Sequence, residues 1–196
     1  NITSALLVLQ PGPYGEEYLR HVKRLLPDLE LDVIWGDKNR QPPLAAGTLN
    51  AFSEKEFDII WLPGWERDVI PVASQLRYNL PEHTFHFLGA DWYHSLLLND
   101  PSLKNAWFQG ADPKTRENFY KSYEELFQQS PNTIELLAYD AMAVLAALQR
   151  LGNDRSLPIS DFLHNLEGFK TLNGYARFLY NGQVQRNLPI LEIRRQ

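Results

Sequence analysis

Four short apolar runs in the first ninety residues each stop at a glycine or a proline, and helical-period segments separate several of them. Ser4 to Leu9 is unbroken and ends at Gln10-Pro11-Gly12; Leu29 to Trp35 ends at Gly36. Phe57 to Leu62 ends at Pro63-Gly64, and Thr84 to Leu88 at Gly89. An unbroken apolar run such as Ser4 to Leu9 fits a strand covered on both faces. Between the first two, Tyr18, Val22, Leu25 and Leu26 fall at helical spacing in Glu16 to Leu26, and Pro27 closes the helix. Val69 to Tyr78 is a second helix, with Val69, Ala73 and Leu76 inward, and Ala106 to Phe108 a short fifth strand. Strands alternating with helices predict an α/β fold: a Rossmann-like parallel sheet flanked by helices. Gly36 to Thr48 reads as a polar loop.

Beyond the fifth strand the chain reads as helical to about residue 170. Thr115 to Gln129 carries Phe119, Tyr123, Leu126 and Phe127 on one face. Thr133 to Leu151 is apolar around most of its circumference, which demands burial on more than one side. Asn132 or Thr133 caps its start and Gly152 its end. Ile159 to Leu166 is a shorter helix. Tyr175 to Tyr180 and Leu188 to Ile193 are expected to pair as a C-terminal antiparallel hairpin across Asn181-Gly182, since both turn residues accept positive φ. One α/β lobe over 1–196 is the domain expectation.

Composition narrows the function. The net charge is −5, and no basic stripe is present to neutralise phosphates, so a nucleic-acid surface is not expected. No apolar run approaches the length of a membrane span. Cysteine is absent, which removes disulfides, thiolate catalysis and Cys-based metal sites. No nucleophile elbow, His-Glu-x-x-His or P-loop occurs. His83 and His86 lie three apart, the wrong parity for one face of a strand. No enzyme, cofactor or metal is expected.

Ligands on parallel sheets bind at the carboxyl ends of the strands, so the candidate site is the loops after Leu9, Leu62 and Leu88. In the first, Tyr14 stands beside a helix N-terminus or packs on its own helix. In the second, Gly64 allows close backbone approach, and Trp65 supplies either an apolar wall with an N–H donor or a core ring. In the third, Asp91 holds a ligand ammonium or caps the helix that follows, and Trp92 stands next to it.

Tyr14-Gly15-Glu16, Gly64-Trp65 and Gly89-Ala90-Asp91 occur here in that order. Tyr139-Asp140-Ala141 and Asn173-Gly174, with Phe178 and Gly182, follow them. This succession resembles the second half of the type I periplasmic solute-binding proteins, the branched-chain amino-acid receptor group. The resemblance implies one lobe of a ligand clamp. Tyr14, Trp65 and Asp91 would face the cleft, with Gly64 and Trp92 lining it and Asp91 holding the amino group of a small polar ligand such as an amino acid. It implies a periplasmic or extracytoplasmic protein, lipid-anchored in its full-length form. It also implies that the 133–170 helices pack on a first lobe that residues 1–196 do not include. A second copy or an envelope protein is the other expected cover. The run Arg186 to Ile193 is similar to the penicillin-binding-protein activator lipoproteins, which share this fold. It implies the alternative, a cell-envelope interaction module without a ligand.

Overall fold

The protein is represented by a computed structural model that describes residues 2–37, 39–65, 68–80, 85–93, 95–152, 158–164 and 167–194. Its centre is β1 (Ser4–Leu9). Ala5, Leu6, Leu7, Val8 and Leu9 are all buried, because alternate side chains leave opposite faces of the strand and both faces are covered. Leu6 and Val8 join the larger apolar cluster; Leu7 and Leu9 join a smaller one with Val22.

β1 pairs in parallel with β2 (Glu30–Trp35) on one side and β3 (Ile59–Trp61) on the other. The sheet continues through β4 (His86–Ala90) and β5 (Trp107–Gln109), both parallel. The order of these five is β2-β1-β3-β4-β5. Winding therefore reverses at β1. With crossovers of one hand, that reversal puts the first helix and the later ones on opposite faces. The clusters agree. α1 (Pro13–Leu25) covers the Leu7 face with Val22, Tyr18 and Leu19. α2 (Ala46–Asn50) and α3 (Val69–Asn79) cover the Leu6 face with Leu49, Val69, Val72, Ala73 and Leu76. α2 lies at the end of the stretch read as a loop; at five residues it is too short to show an apolar period. Beyond β4 come a short α4 (Ser95–Leu98) and a 3-10 turn at Pro101–Leu103. Arg77 of α3 donates to the carbonyls of Ser102 and Lys104 and lies over the rings of Phe85 and Phe87.

The chain divides into two units, 1–109 with 190–196, and 110–189. The second unit contains α5 (Pro113–Phe127), α6 (Thr133–Gly152) and α7 (Ile159–Leu163). It also holds an antiparallel sheet of β6 (Phe169–Thr171), β7 (Gly174–Phe178) and β8 (Val184–Asn187). Asn132 caps α6: its Oδ1 accepts the Ile134 N–H at 2.8 Å, and Glu135 accepts the Asn132 N–H at 2.7 Å.

The C-terminal hairpin differs from its expectation. The turn falls at Asn181-Gly182, and Gly182 has φ 81°, but the partner of β7 is Val184–Asn187. Ile190–Glu192 is instead β9, antiparallel to β5 at the edge of the large sheet. Pro189 stands between β8 and β9 and has no N–H for a ladder, which separates the two strands.

Asp58, just before β3, ties the start of β1. Its Oδ2 accepts the N–H groups of Thr3 at 2.7 Å and Ser4 at 3.0 Å, and the Thr3 hydroxyl at 3.0 Å. These bonds hold its carboxyl at about 2, against an ordinary 3.8. A folded-state value below the unfolded one means stability present above pH 4 and lost as pH falls toward 2. Asp58→Asn should lower the melting temperature at neutral pH and flatten the acid limb between pH 4 and pH 2, in a melting series across that range.

Candidate functional site

The parallel register places the carboxyl ends of β1, β3 and β4 side by side: Leu7 stands opposite Trp61, and Trp61 opposite Leu88. The loops that follow them share one edge of the sheet. The order reverses between β1 and β3, and such a switch point is where ligands bind on open α/β sheets. Tyr14 and Gly64 belong to the loops flanking that point.

The structure brings these two together. Tyr14 lies in the first turn of α1, which Pro13 starts after Gly12 at φ 127°. Its ring is 62% exposed and lies over Gly64, so close that a Cβ on Gly64 would meet Tyr14 Cε1 at 2.9 Å. Gly64 has φ 73°, a conformation glycine adopts without steric cost. Gln10 Nε2 donates to the Gly64 carbonyl at 3.1 Å and links the two loops. The sequence reading missed Gln10; the signal was a polar residue directly after an unbroken apolar strand. Beneath them Tyr18 meets Tyr14 at 5.9 Å and Trp61 edge-on at 5.6 Å. Burial, and then the neighbouring Tyr14, push the Tyr18 phenol well above its ordinary value, so it stays neutral.

Asp91 is the first residue after β4. It is exposed and adopts φ 55°. Its N–H donates to the Gln109 carbonyl at 2.9 Å and its carbonyl accepts the Tyr93 N–H at 2.9 Å, which fixes the backbone at the end of β4. Asp91 therefore stands on the same edge as Tyr14 and Gly64.

Trp65 and Trp92, expected at the cleft, are both buried in this chain. Trp65 is 1% exposed, and its Nε1 donates to the Val8 carbonyl at 2.9 Å. Its ring sits against Gly36, where a Cβ would approach it to 2.8 Å. Trp92 is 2% exposed and lies on Gly89, where a Cβ would come within 2.1 Å, and beside Phe108. Each indole folds back under its loop onto a glycine, Trp65 onto Gly36 after β2 and Trp92 onto Gly89 of its own preceding strand. Of the expected residues, Tyr14, Gly64 and Asp91 stand at the strand-end edge, and Gln10 joins them there. Among the described residues no group of three His, Asp or Glu side chains could hold a metal. His83 and His94 lie outside the described residues.

No protein-family model matches the sequence, and no curated protein matches it. Solved structures do. A branched-chain amino-acid ABC-transporter periplasmic ligand-binding protein from Burkholderia xenovorans superposes with a TM-score of 0.69 at 15% identity, over 97% of this chain and 54% of its own. A solute-binding protein of an ABC transporter from R. palustris, solved with benzoate, gives 0.66 at 13%, over 98% and 56%. A leucine-binding protein, LivK, from Thermotoga maritima gives 0.64 at 15%, over 98% and 58%. The fold is that of the type I periplasmic binding proteins. The chain spans between 54% and 58% of the length of these three. Within that fold, a mixed sheet flanked by helices and a separate three-stranded antiparallel sheet are both present.

Two substitutions separate the core indole from the edge glycine. Trp65→Phe should cost about 1–3 kcal/mol by leaving the Val8 carbonyl unmet in the interior. Gly64→Ala should cost about 1–2 kcal/mol for a left-handed backbone and displace the Tyr14 ring. Denaturant titrations of both variants check the two costs.

Proposed function

We propose that this chain is the larger part of an extracytoplasmic solute receptor that clamps a small polar ligand and performs no chemistry. The observation that carries the reading is the shared edge at the switch point, with the exposed Tyr14 ring on Gly64 and Asp91 on the neighbouring strand end. A ring and a carboxylate on one edge suit a ligand with an apolar body and an ammonium group, as in an amino acid. The printed descriptions of the neighbours, which name leucine and benzoate, support a ligand of that size. Extracytoplasmic location and a lipid anchor belong to the same proposal.

The helix α6 supports a further lobe. Leu136, Asp140 and Val144 form its buried stripe, while Ile134, Leu137, Tyr139, Met142 and Leu145 are between 44% and 74% exposed. Exposed apolar surface on this scale marks an interaction face. A first lobe of the kind that completes the neighbours' length is the proposed cover; a second copy is the cover for the chain in isolation. The rival reading is an envelope interaction module of the penicillin-binding-protein-activator type. Two buried indoles where ligand walls were expected favour that rival.

Calorimetry on this chain with a panel of amino acids and benzoate decides between them. Half a clamp encloses too little of a ligand for tight binding, so dissociation constants of about 1 mM or weaker are expected. Tyr14→Ala and Asp91→Asn should abolish the residual binding. Binding that both variants leave intact would sink the site, and tight stoichiometric binding would sink the half-clamp. Light scattering tests the apolar face: the isolated chain should associate, and Leu145→Glu should return it to monomer. A wild-type monomer at high concentration would remove the case for a cover.

A further inference from the structure

Among the described residues, the buried polar and charged side chains are Arg116, Asp140, Thr171 and Asn173, and all lie in 110–189. The two apolar clusters of the described residues lie in the other unit. Within 110–189 the buried apolar side chains described are Ala111, Pro131, Leu136, Val144 and Ala176. The two units are therefore built on different physics.

Asp140 organises the second. Its Oδ1 accepts the Leu172 N–H at 2.7 Å. Its Oδ2 accepts the Asn173 Nδ2–H at 2.7 Å and the Asn173 backbone N–H at 3.3 Å, with Arg186 Nη1 at 3.6 Å. Arg116 of α5 donates to the Leu172 carbonyl at 3.4 Å and to Asn173 Oδ1. Arg186 of β8 also reaches Thr171 Oγ1 at 3.3 Å and the Asn173 carbonyl at 3.4 Å. One carboxylate on α6 thus holds the turn between β6 and β7, and two guanidinium groups bring α5 and β8 to that turn.

We propose that residues 110–189 open as a separate cooperative unit whose lock is Asp140, while the sheet of the other unit stays folded. Polar bonds fix geometry but add little net stability, because the same groups bond water when the unit opens. Apolar burial, the larger source of stability, is thin here. Removing one member of a buried charged set leaves the others uncompensated, so losing the Asp140 carboxylate weakens every bond of the set. Elements that move are drawn from such low-stability units. Whatever covers the exposed face of α6 stabilises the closed form by mass action, so order in this unit reports on docking.

Hydrogen exchange on the full chain, read by mass spectrometry, tests the proposal without any ligand, so its failure leaves the receptor reading standing. The amides of α6 and of the 172–173 turn should exchange as one group, at least about tenfold faster than Leu6 to Val8 of β1. Asp140→Ala should erase protection across 110–189 and leave β1 and β3 unchanged; Asp140→Asn should erase only part. A single rate class for both units would overturn the proposal, and so would an Asp140→Ala variant whose α6 exchanges as in wild type. If Asp140→Ala lowers protection in β1 as much as in α6, the units are not separate and the proposal fails.

Discussion

The pairing of β1 between two parallel neighbours is the constraint from which the first unit follows. Five consecutive buried residues, Ala5 to Leu9, need a wall on each face. A parallel sheet supplies those walls only through helical crossovers. Because β2 and β3 lie on opposite sides of β1, the helices that deliver them lie on opposite faces. That reversal sends the connections after β1 and β3 toward opposite faces of the sheet. Tyr14 and Gly64 stand at that switch point because they follow those two strands. Trp65 binds the arrangement from within: its indole N–H meets Val8, beyond the last paired residues Leu7 and Trp61.

The strands of the parallel sheet were legible in the sequence because each rests on a local signal. Ser4–Leu9 reads as a doubly covered strand from its residues alone, and the observed bounds agree. Tyr14 and Asp91 could be placed at the edge because each follows a strand end within a few residues. What failed to read was long-range. The run Leu188 to Ile193 looks like a hairpin partner for Tyr175 to Tyr180, yet its Ile190–Glu192 part pairs with β5, far back in the chain. Pairing across that separation leaves no periodic mark. The two indoles failed for a related reason. A Trp after a strand end looks available, and only the glycines at 36 and 89, which make room for the rings, turn it inward. Nothing near Trp65 in sequence announces Gly36.

The second unit shows the complementary case. The apolar circumference of α6 was plain from its residues, and the structure leaves most of it uncovered within the described residues. The polar interior around Asp140 was not read, since Tyr139-Asp140-Ala141 looks like an ordinary helix segment. A charged residue in the middle of an apolar helix has two outlets, solvent or a buried partner set. Its stripe decides between them. Leu136 and Val144, four residues to either side, are buried, so Asp140 is carried inward with them and must be paired.

This pairing also explains why the antiparallel sheet ends where it does. The turn between β6 and β7 exposes the N–H groups of Leu172 and Asn173, which no strand can take. Asp140 accepts both, and Gly174 at φ 82° lets the chain reverse immediately after them. A Cβ at Gly174 would meet the Asn187 carbonyl at 2.7 Å, so β8 is packed against the same turn. Thr171 closes the circuit by donating to the Gly174 carbonyl at 2.6 Å. The small sheet is therefore tied to α5 and α6 through its turn. An element attached at one polar point can keep its own hydrogen-bond ladder while its docking changes. An element packed by a whole apolar face cannot separate without exposing that face. The first unit is built in the second manner and the second unit in the first. A chain with both can keep a rigid site edge beside a segment whose order answers to what covers it.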